Sequence, residues 1–240
     1  MKKNSVLLLL LAVVLFSCTD PEPDPEPETT AEVIKNAVTD FDGNKYDAVK
    51  IGNQIWMASN LKTTHYANGD SIPNPYAHPG EVFTAGDYFV YPGGDMNNVA
   101  VYGYLYSYKA AIKVCPAGWH LPNMVEWYAM EQSVINTPKY LEKSITVAKA
   151  LASENYWNAV SSYGTPGFQL STNNATGFSA VPADFLGAAV VPVGSLAAFW
   201  SSDTTSGGKS MGKFLSVERT GLESNMYSRA DALSVRCVKD

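Results

Sequence analysis

The segment Cys115-Pro-Ala-Gly-Trp-His-Leu-Pro-Asn-Met-Val-Glu-Trp127 joins a cysteine to the start of a helix. The Asn123 side chain can accept a hydrogen bond from the first helical turn, and Glu126 three residues later can return one. This reciprocal capping pattern predicts a helix that begins after Asn123 and carries Trp127 and Met130. The residues on either side of this segment show how the rest of the chain is organised.

Further along the chain, Ser144 can start a second helix that continues through Ala148, Ala150 and Leu151. On the N-terminal side, the residues from 39 to 57 read as hairpins. Their turns are predicted at Asp42-Gly43 and at Gly52-Asn53, where glycine allows a positive φ angle.

A stripe of tyrosines alternates with other residues between Val101 and Tyr108. In a strand this alternation places Tyr102, Tyr104, Tyr106 and Tyr108 on one face. Such a face is either a platform on which a sugar stacks or one packed side of a strand, and we favour packing.

The first 17 residues have the pattern of a bacterial lipoprotein signal. Lys2 and Lys3 precede an apolar run from Val6 to Phe16, and Cys18 follows a small residue. About 11 apolar residues span only ~17 Å as a helix, which is too short for a hydrocarbon core of ~30 Å. We therefore predict lipidation at Cys18 and attachment to a membrane; an ordinary secretory peptide is the alternative.

Residues 18–32 read as an extended spacer. Proline alternates with aspartate or glutamate from Asp20 to Glu28, so the backbone is stiff and like charges repel. This acidic stretch resembles the surface-export signals of bacterial lipoproteins, and it favours the exterior face of an outer membrane over a periplasm-facing anchor. We take residues 33–240 as a single domain.

The charge of the domain excludes nucleic acid as a partner. The full chain has a formal charge of −6; without Lys2 and Lys3 the charge is −8, and six acidic residues lie between Asp20 and Glu32. The domain therefore carries about −2, with its basic residues scattered, whereas a nucleic-acid binder needs a basic patch.

We predict no catalytic residue, no metal site and no cofactor. His65, His78 and His120 show no metal-ligand spacing, and His120 fits a structural hydrogen bond near the helix start. Ser201 and Ser202 lack a nucleophile elbow and a neighbouring histidine, so a turn or strand-end role is expected for them.

Four separated blocks make the chain similar to the Fibrobacter succinogenes major paralogous domain, a family of exported bacterial domains. The blocks extend over nearly all of residues 39 to 240. They are Asp42-Gly-Asn44 with Asn60-Leu-Lys-Thr-Thr64, the Tyr-Gly-Tyr-Leu-Tyr stretch with Cys115-Pro-Ala-Gly-Trp-His-Leu-Pro122, Thr176-Gly-Phe-Ser-Ala180, and Phe199-Trp-Ser-Ser202 with Ser234-Val-Arg-Cys-Val-Lys-Asp240.

The resemblance implies an α+β, C-type-lectin-like fold, with two helices beside small twisted antiparallel sheets and a long irregular loop region. It implies a disulfide between Cys115 and Cys237, which an exported location permits; two buried free thiols are the alternative. Formylglycine-generating enzymes share the broad fold, but the closely spaced cysteine pair that binds copper in them has no counterpart here. Fold alone carries no function.

The expected function is binding of a glycan or a protein, with a structural subunit of a surface or fimbria-like assembly as the alternative and an enzyme as the third class. Loops rich in Ser, Thr, Asn and Gly at residues 155–176 and 200–225 can present contacts, unless their aromatic residues close the core beneath. The ligand-binding candidates are Trp157, Tyr163, Trp200, Asp203 and Tyr227.

Two short sequences, Asp70-Ser71-Ile72 and Asp203-Thr204-Thr205, resemble a bacterial O-glycosylation sequence. We therefore name Ser71 and Thr204 as candidate modification sites. Sequences of three residues also match by chance.

Overall fold

A computed structural model describes residues 31–75, 86–142, 145–187 and 193–240. The predicted lipidation site Cys18, the signal segment and the acidic spacer up to residue 30 lie outside these residues. None of the helices found in the described ranges has the length and apolar character that a bilayer crossing requires.

The described residues form short strands and helices joined by long irregular segments. The helices are α1 (Val99–Tyr102), α2 (Tyr108–Ala111), α3 (Met124–Ile135) and α4 (Val147–Leu151), with 3-10 turns at Pro92–Gly94, Met96–Asn98, Pro138–Tyr140 and Leu170–Thr172. The strands are β1 (Val33–Thr39), β2 (Lys45–Ile51), β3 (Gln54–Met57), β4 (Phe89–Val90), β5 (Leu105–Ser107), β6 (Trp119–His120), β7 (Leu196–Thr204), β8 (Lys209–Ser216), β9 (Glu223–Ser228), β10 (Ala232–Leu233) and β11 (Val238–Lys239).

These strands pair antiparallel in three sheets, so the chain has an α+β fold, as predicted. The first sheet has the order β1-β2-β3-β11-β6, and the others have the orders β10-β5-β4 and β7-β8-β9. Strand β11 near the C-terminal end thus lies between β3 and β6. Both predicted turns are present, one between β1 and β2 and the other between β2 and β3. Gly43 and Gly52 have the positive φ angles that these turns need, 80° and 60°.

The helix α3 begins where its sequence predicts. The Asn123 side chain accepts from the Glu126 backbone N–H, and the Glu126 carboxylate accepts from the Asn123 N–H. The buried face of α3 carries Trp127, whose ring lies 4.7 Å from that of Trp56. This aromatic contact joins the helix to the first sheet across one of the hydrophobic cores.

The second predicted helix is shorter than expected. It begins at Val147, and the Thr146 side chain, instead of Ser144, caps it by accepting from the Lys149 N–H. Ser144 lies outside the described residues.

The tyrosine stripe is not a single strand, so that prediction was wrong. Only Leu105–Ser107 forms a strand, and helices α1 and α2 flank it. Gly103 ends α1 with a φ of 71°, and an added Cβ would lie 2.6 Å from the Leu61 carbonyl oxygen. Ser107 caps α2 by accepting from the Ala110 N–H. Tyr102, Tyr106 and Tyr108 are buried, which agrees with packing.

The second predicted loop, residues 200–225, is instead mostly the sheet β7-β8-β9, and this prediction was also wrong. Its Ser- and Gly-rich composition suits close packing here. Gly212 faces the Tyr227 ring so closely that an added Cβ would lie 2.9 Å from it, and Ser210 is buried. Residues 155–176 do form an irregular segment, as predicted.

A disulfide joins Cys115 to Cys237, as the resemblance implies, with a Cα–Cα distance of 5.9 Å. It ties the segment before β6 to the segment before β11. The ends of a span of 122 positions are thereby held together.

Candidate functional site

Arg236 is a fully buried cation at the centre of the molecule. Its guanidinium donates to the Asn60 side-chain oxygen at 2.6 Å and to the carbonyl oxygens of Met57, Phe178 and Ser179 at 2.9, 2.5 and 2.9 Å. Its centre lies 4.6 Å from the Phe178 ring centroid. Burial lowers the pKa of Arg236 to about 9, so the group stays charged at neutral pH.

This Arg236 junction is where the separated sequence blocks meet. Asn60 comes from one block, Phe178 and Ser179 come from another, and Arg236 lies in the C-terminal block. Asn60 also donates to the Ser234 hydroxyl at 3.1 Å. Because these groups satisfy one another inside the protein, the block residues named here build the scaffold.

A crevice with a volume of about 400 Å³ opens beside the irregular segment that follows α4. We call it the Lys149 crevice. Most of its lining side chains are polar, and the aromatic and aliphatic ones are few. The lining consists of Lys139, Glu142, Ile145, Lys149, Glu154, Tyr163, Gly164, Phe168, Gln169, Ser171, Thr172, Asn173, Asn174 and Ala175.

Lys149 holds the irregular segment against α4. Its buried ammonium donates to the Asn173 side-chain oxygen at 2.7 Å and to the carbonyl oxygens of Phe168, Gln169 and Thr165. No carboxylate pairs with it among the described residues. Burial lowers the pKa of Lys149. The ammonium therefore organises the backbone from Thr165 to Asn173 instead of facing a ligand as a free charge.

An aromatic pair lies at the N-terminal end of this organised backbone. The rings of Tyr163 and Phe168 are 5.4 Å apart, and Tyr163 is 66% exposed. Gln169 and Asn174 have positive φ angles of 45° and 70°. Asparagine adopts this conformation readily, whereas glutamine does so rarely, so Gln169 is the strained position of the two, and such strain is concentrated at binding and catalytic sites.

Three of the five predicted ligand contacts are in the core, and this part of the prediction was wrong. Trp200 is fully buried, and its indole N–H donates to the Tyr106 carbonyl at 2.7 Å. The Tyr227 ring packs 5.9 Å from that of Trp200. Trp157 is buried and donates to the Ala180 carbonyl at 3.1 Å. Aromatic rings in Ser- and Gly-rich segments fill the core here because their small neighbours leave room.

Asp203 has a structural partner at the start of α3. Its carboxylate accepts from the Met124 backbone N–H at 2.5 Å and from the Ser201 hydroxyl at 3.0 Å. A carboxylate at a helix N-terminus is stabilised by the unpaired N–H groups there. Of the predicted contacts, only Tyr163 combines exposure with a position on a crevice.

The family profile described as the Fibrobacter succinogenes major domain matches residues 49–239. The chain belongs to this family. No curated protein and no solved structure matches the chain.

Within the Fibrobacter succinogenes major domain, the crevice and the blocks have separate roles but are joined by backbone hydrogen bonds. The Asn174 N–H donates to the Lys149 carbonyl at 2.8 Å, and the Thr176 N–H donates to the Ala150 carbonyl at 3.1 Å. The prediction from sequence missed Lys149 and Asn173. The signal was a lysine inside the otherwise apolar Val-Ala-Lys-Ala-Leu run of α4.

His65 and His120 each contact carboxylate groups. His120 contacts Asp240 through Nδ1 at 2.6 Å and Glu126 through Nε2 at 2.7 Å, which confirms the expected bond near the helix start. His65 Nδ1 lies 2.5 Å from Asp42 and 3.0 Å from the Thr64 hydroxyl. The Asp42 carboxylate and the Thr64 hydroxyl both contact Nδ1 of His65. In a catalytic triad the carboxylate and the hydroxyl contact different nitrogens of the histidine ring, so these three residues do not have the triad arrangement. His78 lies outside the described residues.

Among the described residues, no group of three His, Cys, Asp or Glu side chains is placed to hold a metal ion. The candidate modification sites Ser71 and Thr204 are both exposed. Whether they are modified stays a prediction.

Proposed function

We propose that this chain is a non-catalytic cell-surface lipoprotein whose Lys149 crevice binds a glycan. The observation that carries this proposal is the exposed Tyr163 ring beside a crevice whose lining includes the amides of Gln169, Asn173 and Asn174 and the hydroxyls of Ser171 and Thr172. An aromatic face packs against the C–H face of a sugar ring, while the amides and hydroxyls exchange hydrogen bonds with sugar hydroxyls.

The size and charge of the crevice favour a neutral saccharide. A volume of about 400 Å³ lies within the range of small-molecule sites, which is roughly 300 to 1,000 Å³. Two lysines, Lys139 and Lys149, and two glutamates, Glu142 and Glu154, line it, so their formal charges cancel. The buried Lys149 ammonium is already satisfied by protein oxygens. A ligand with hydroxyl groups and no net charge therefore fits best.

The proposed location follows from the N-terminal sequence. Lipidation at Cys18 would place the chain on a membrane, and the acidic spacer favours the exterior face of the outer membrane. A spacer of ~28 Å, at ~3.1 Å per residue, would hold the domain away from the membrane surface.

We further propose that the α+β fold is C-type-lectin-like. Three features support this: α3 and α4 lie beside small antiparallel sheets, β11 is inserted between β3 and β6, and a long irregular segment follows α4. The disulfide also ties the C-terminal strand region to the segment before α3.

A second candidate function, a subunit of a surface assembly, is favoured by the outer face of α3. Val125, Tyr128 and Ile135 lie on this face with exposed fractions of 76%, 59% and 43%. Exposed apolar side chains clustered on one helix face are typical of protein-contacting surfaces.

Glycan-array binding of residues 31–240 tests both candidates, with the variants Tyr163→Ala and Tyr128→Ala as a matched pair. Each variant removes one exposed tyrosine, the first at the crevice and the second on α3. The array is run in calcium and again in chelator, since sugar hydroxyl oxygens can serve as ligands to a bound calcium ion.

Under the glycan proposal, binding is lost in Tyr163→Ala and kept in Tyr128→Ala. Binding that survives in Tyr163→Ala, or no binding to any glycan, would contradict it. If the unmodified protein instead forms large assemblies that only Tyr128→Ala disrupts, the chain is a structural subunit.

A further inference from the structure

A second cavity, with a volume of about 450 Å³, lies between α2 and the end of β9, away from the Lys149 crevice. We call it the Arg229 groove. Its lining includes Tyr108, Lys109, Ile112, Ser228, Arg229 and Ala230. This groove has no part in the function proposed for the crevice, and the inference drawn from it does not depend on that function.

The guanidinium of Arg229 is held in place at this groove. Its centre lies 5.4 Å from the Tyr108 ring centroid, and its Nε donates to the Ser210 hydroxyl at 3.1 Å. The Arg229 backbone N–H donates to the Gly208 carbonyl at 3.2 Å. Because both the backbone and the Nε are fixed, less conformational entropy is lost when the guanidinium binds a ligand.

The two terminal nitrogens of Arg229 remain available. Neither donates a hydrogen bond to a described residue, and no described carboxylate lies within 4.0 Å of the group. A guanidinium presents its terminal N–H groups as a planar fork that matches the two oxygens of a carboxylate.

Lys109 adds a second positive charge to the same lining. Its ammonium lies 3.4 Å from Asp87 Oδ1, but Asp87 is shared with Lys113 and with the Tyr66 hydroxyl. The distance is long for a charged hydrogen bond, so Lys109 retains donors. The single carboxylate of Asp87 is shared by Lys109 and Lys113, so the local charge is positive, although the domain as a whole is negative.

The lining of the groove combines these cations with apolar surface. Among its residues only Lys109 and Arg229 are charged, whereas the charges in the Lys149 crevice cancel. Ile112 is exposed, and Tyr108 contributes its ring. A ligand that matches this lining has one negative group and a compact body with an apolar face.

We propose that the Arg229 groove binds a small organic carboxylate, with the uronic acid residue of an acidic glycan as the class that fits best. The carboxylate pairs with the Arg229 guanidinium and the Lys109 ammonium. The C–H face of the sugar ring packs on Ile112. A simple phosphate would use the cations but leave this apolar surface exposed to water.

Isothermal titration calorimetry of the full chain tests this, with D-glucuronate against D-glucose as the uncharged counterpart. Inorganic phosphate and glycerol 3-phosphate are titrated as alternative anions. The variants are Arg229→Gln, Arg229→Lys and Lys109→Gln, and Arg219→Gln removes an exposed arginine paired with Glu223 elsewhere as the control.

We expect the chain to bind glucuronate and not glucose, and Arg229→Gln to weaken binding about tenfold or more. Arg229→Lys restores only part of the affinity, because an ammonium cannot pair bidentately. Lys109→Gln, in which the arginine contacts remain, weakens binding less, and Arg219→Gln has no effect. Preference for either phosphate, or glucuronate binding that is absent or is unchanged in both Arg229→Gln and Lys109→Gln, would overturn the assignment.

Discussion

Two buried cations organise two different regions of this domain. Arg236 joins strands and loops at the centre, and Lys149 holds the irregular segment at one side. Each donates to carbonyl oxygens and to one asparagine side chain, and neither pairs with a carboxylate among the described residues. The same type of contact therefore stabilises the scaffold in one place and shapes a crevice in the other.

The difference lies in what surrounds each cation. The Arg236 guanidinium lies 4.6 and 5.8 Å from the rings of Phe178 and Phe199, and the residue is fully buried. Lys149 adjoins a crevice that is open to solvent. Loss of the first should therefore unfold the domain, whereas loss of the second should release mainly one segment.

The largest expected effect is that of Arg236→Met. The variant removes the donor from three buried acceptors and one partly buried acceptor, so we expect a loss of about 5 kcal/mol in the free energy of unfolding, or failure to fold. Urea denaturation measures it. Arg219→Met, at an exposed arginine, is the control and should change stability by less than about 0.5 kcal/mol. A loss below about 1 kcal/mol for Arg236→Met would contradict the role of the junction.

Removal of the disulfide tests whether the Arg236 junction alone keeps the C-terminal strand in place. For the double variant Cys115→Ala/Cys237→Ala we expect a loss of about 4 kcal/mol, because the bond restrains a span of 122 positions in the unfolded chain. Urea denaturation of the variant is compared with that of the oxidised protein. An unchanged midpoint would show that the junction suffices without the bond.

The variant Lys149→Met should have a smaller effect on stability, with a loss of about 2 kcal/mol, since water can reach part of the freed carbonyl groups. Glycan binding should nevertheless be abolished, because Phe168 and Asn173 lose their common donor. Lys45→Met, at an exposed lysine of β2 that does not line the crevice, is the control and should keep both properties. Destabilisation as large as that of Arg236→Met would contradict the distinction between the two cations.

The smallest effect concerns His120, a partly exposed cation that is paired with carboxylates. Burial opposes its charge, but hydrogen bonds to Asp240 and Glu126 outweigh burial and raise the pKa of His120 above its usual 6.5. Because the pKa of His120 is higher in the folded than in the unfolded protein, its protonated form stabilises the fold. This stabilisation is complete at pH values below the pKa of the unfolded protein, and it is lost as the pH rises through the pKa of the folded protein. Solvent screening limits it to less than about 1 kcal/mol.

Urea midpoints of the native chain and of His120→Gln measure this contribution across the pH range. The two urea midpoints should differ most at acidic pH and should converge at pH values above the pKa of His120 in the folded protein. A difference that grows as pH rises would contradict the assignment.

Local signals in the sequence predicted much of the scaffold. The Asn123 and Glu126 pair fixed the start of α3, and the glycine turns fixed the first hairpins. The tyrosine stripe failed because Gly103 and Ser107 end and start helices there, which alternation alone does not reveal. Residues 200–225 failed because small residues that signal loops also allow tightly packed strands.

The candidate site was less predictable than the scaffold. Loop aromatic residues are common ligand contacts, and this reasoning selected Tyr163, which is exposed, together with Trp157, Trp200 and Tyr227, which are buried. Sequence does not distinguish these cases, since burial depends on which distant segments pack together. Lys149 was missed because its partners follow it by 16 to 24 positions in a segment with no regular pattern.

Hydrogen exchange of Lys149→Met, followed by mass spectrometry, tests the division between the two cations most directly. We expect faster exchange confined to amides between residues 163 and 174, with the protection of β2, β3 and β7 unchanged. Faster exchange throughout these strands would contradict the account, because it would show that Lys149 supports the scaffold as Arg236 does. Unchanged exchange between 163 and 174 would show that the ammonium does not organise the crevice.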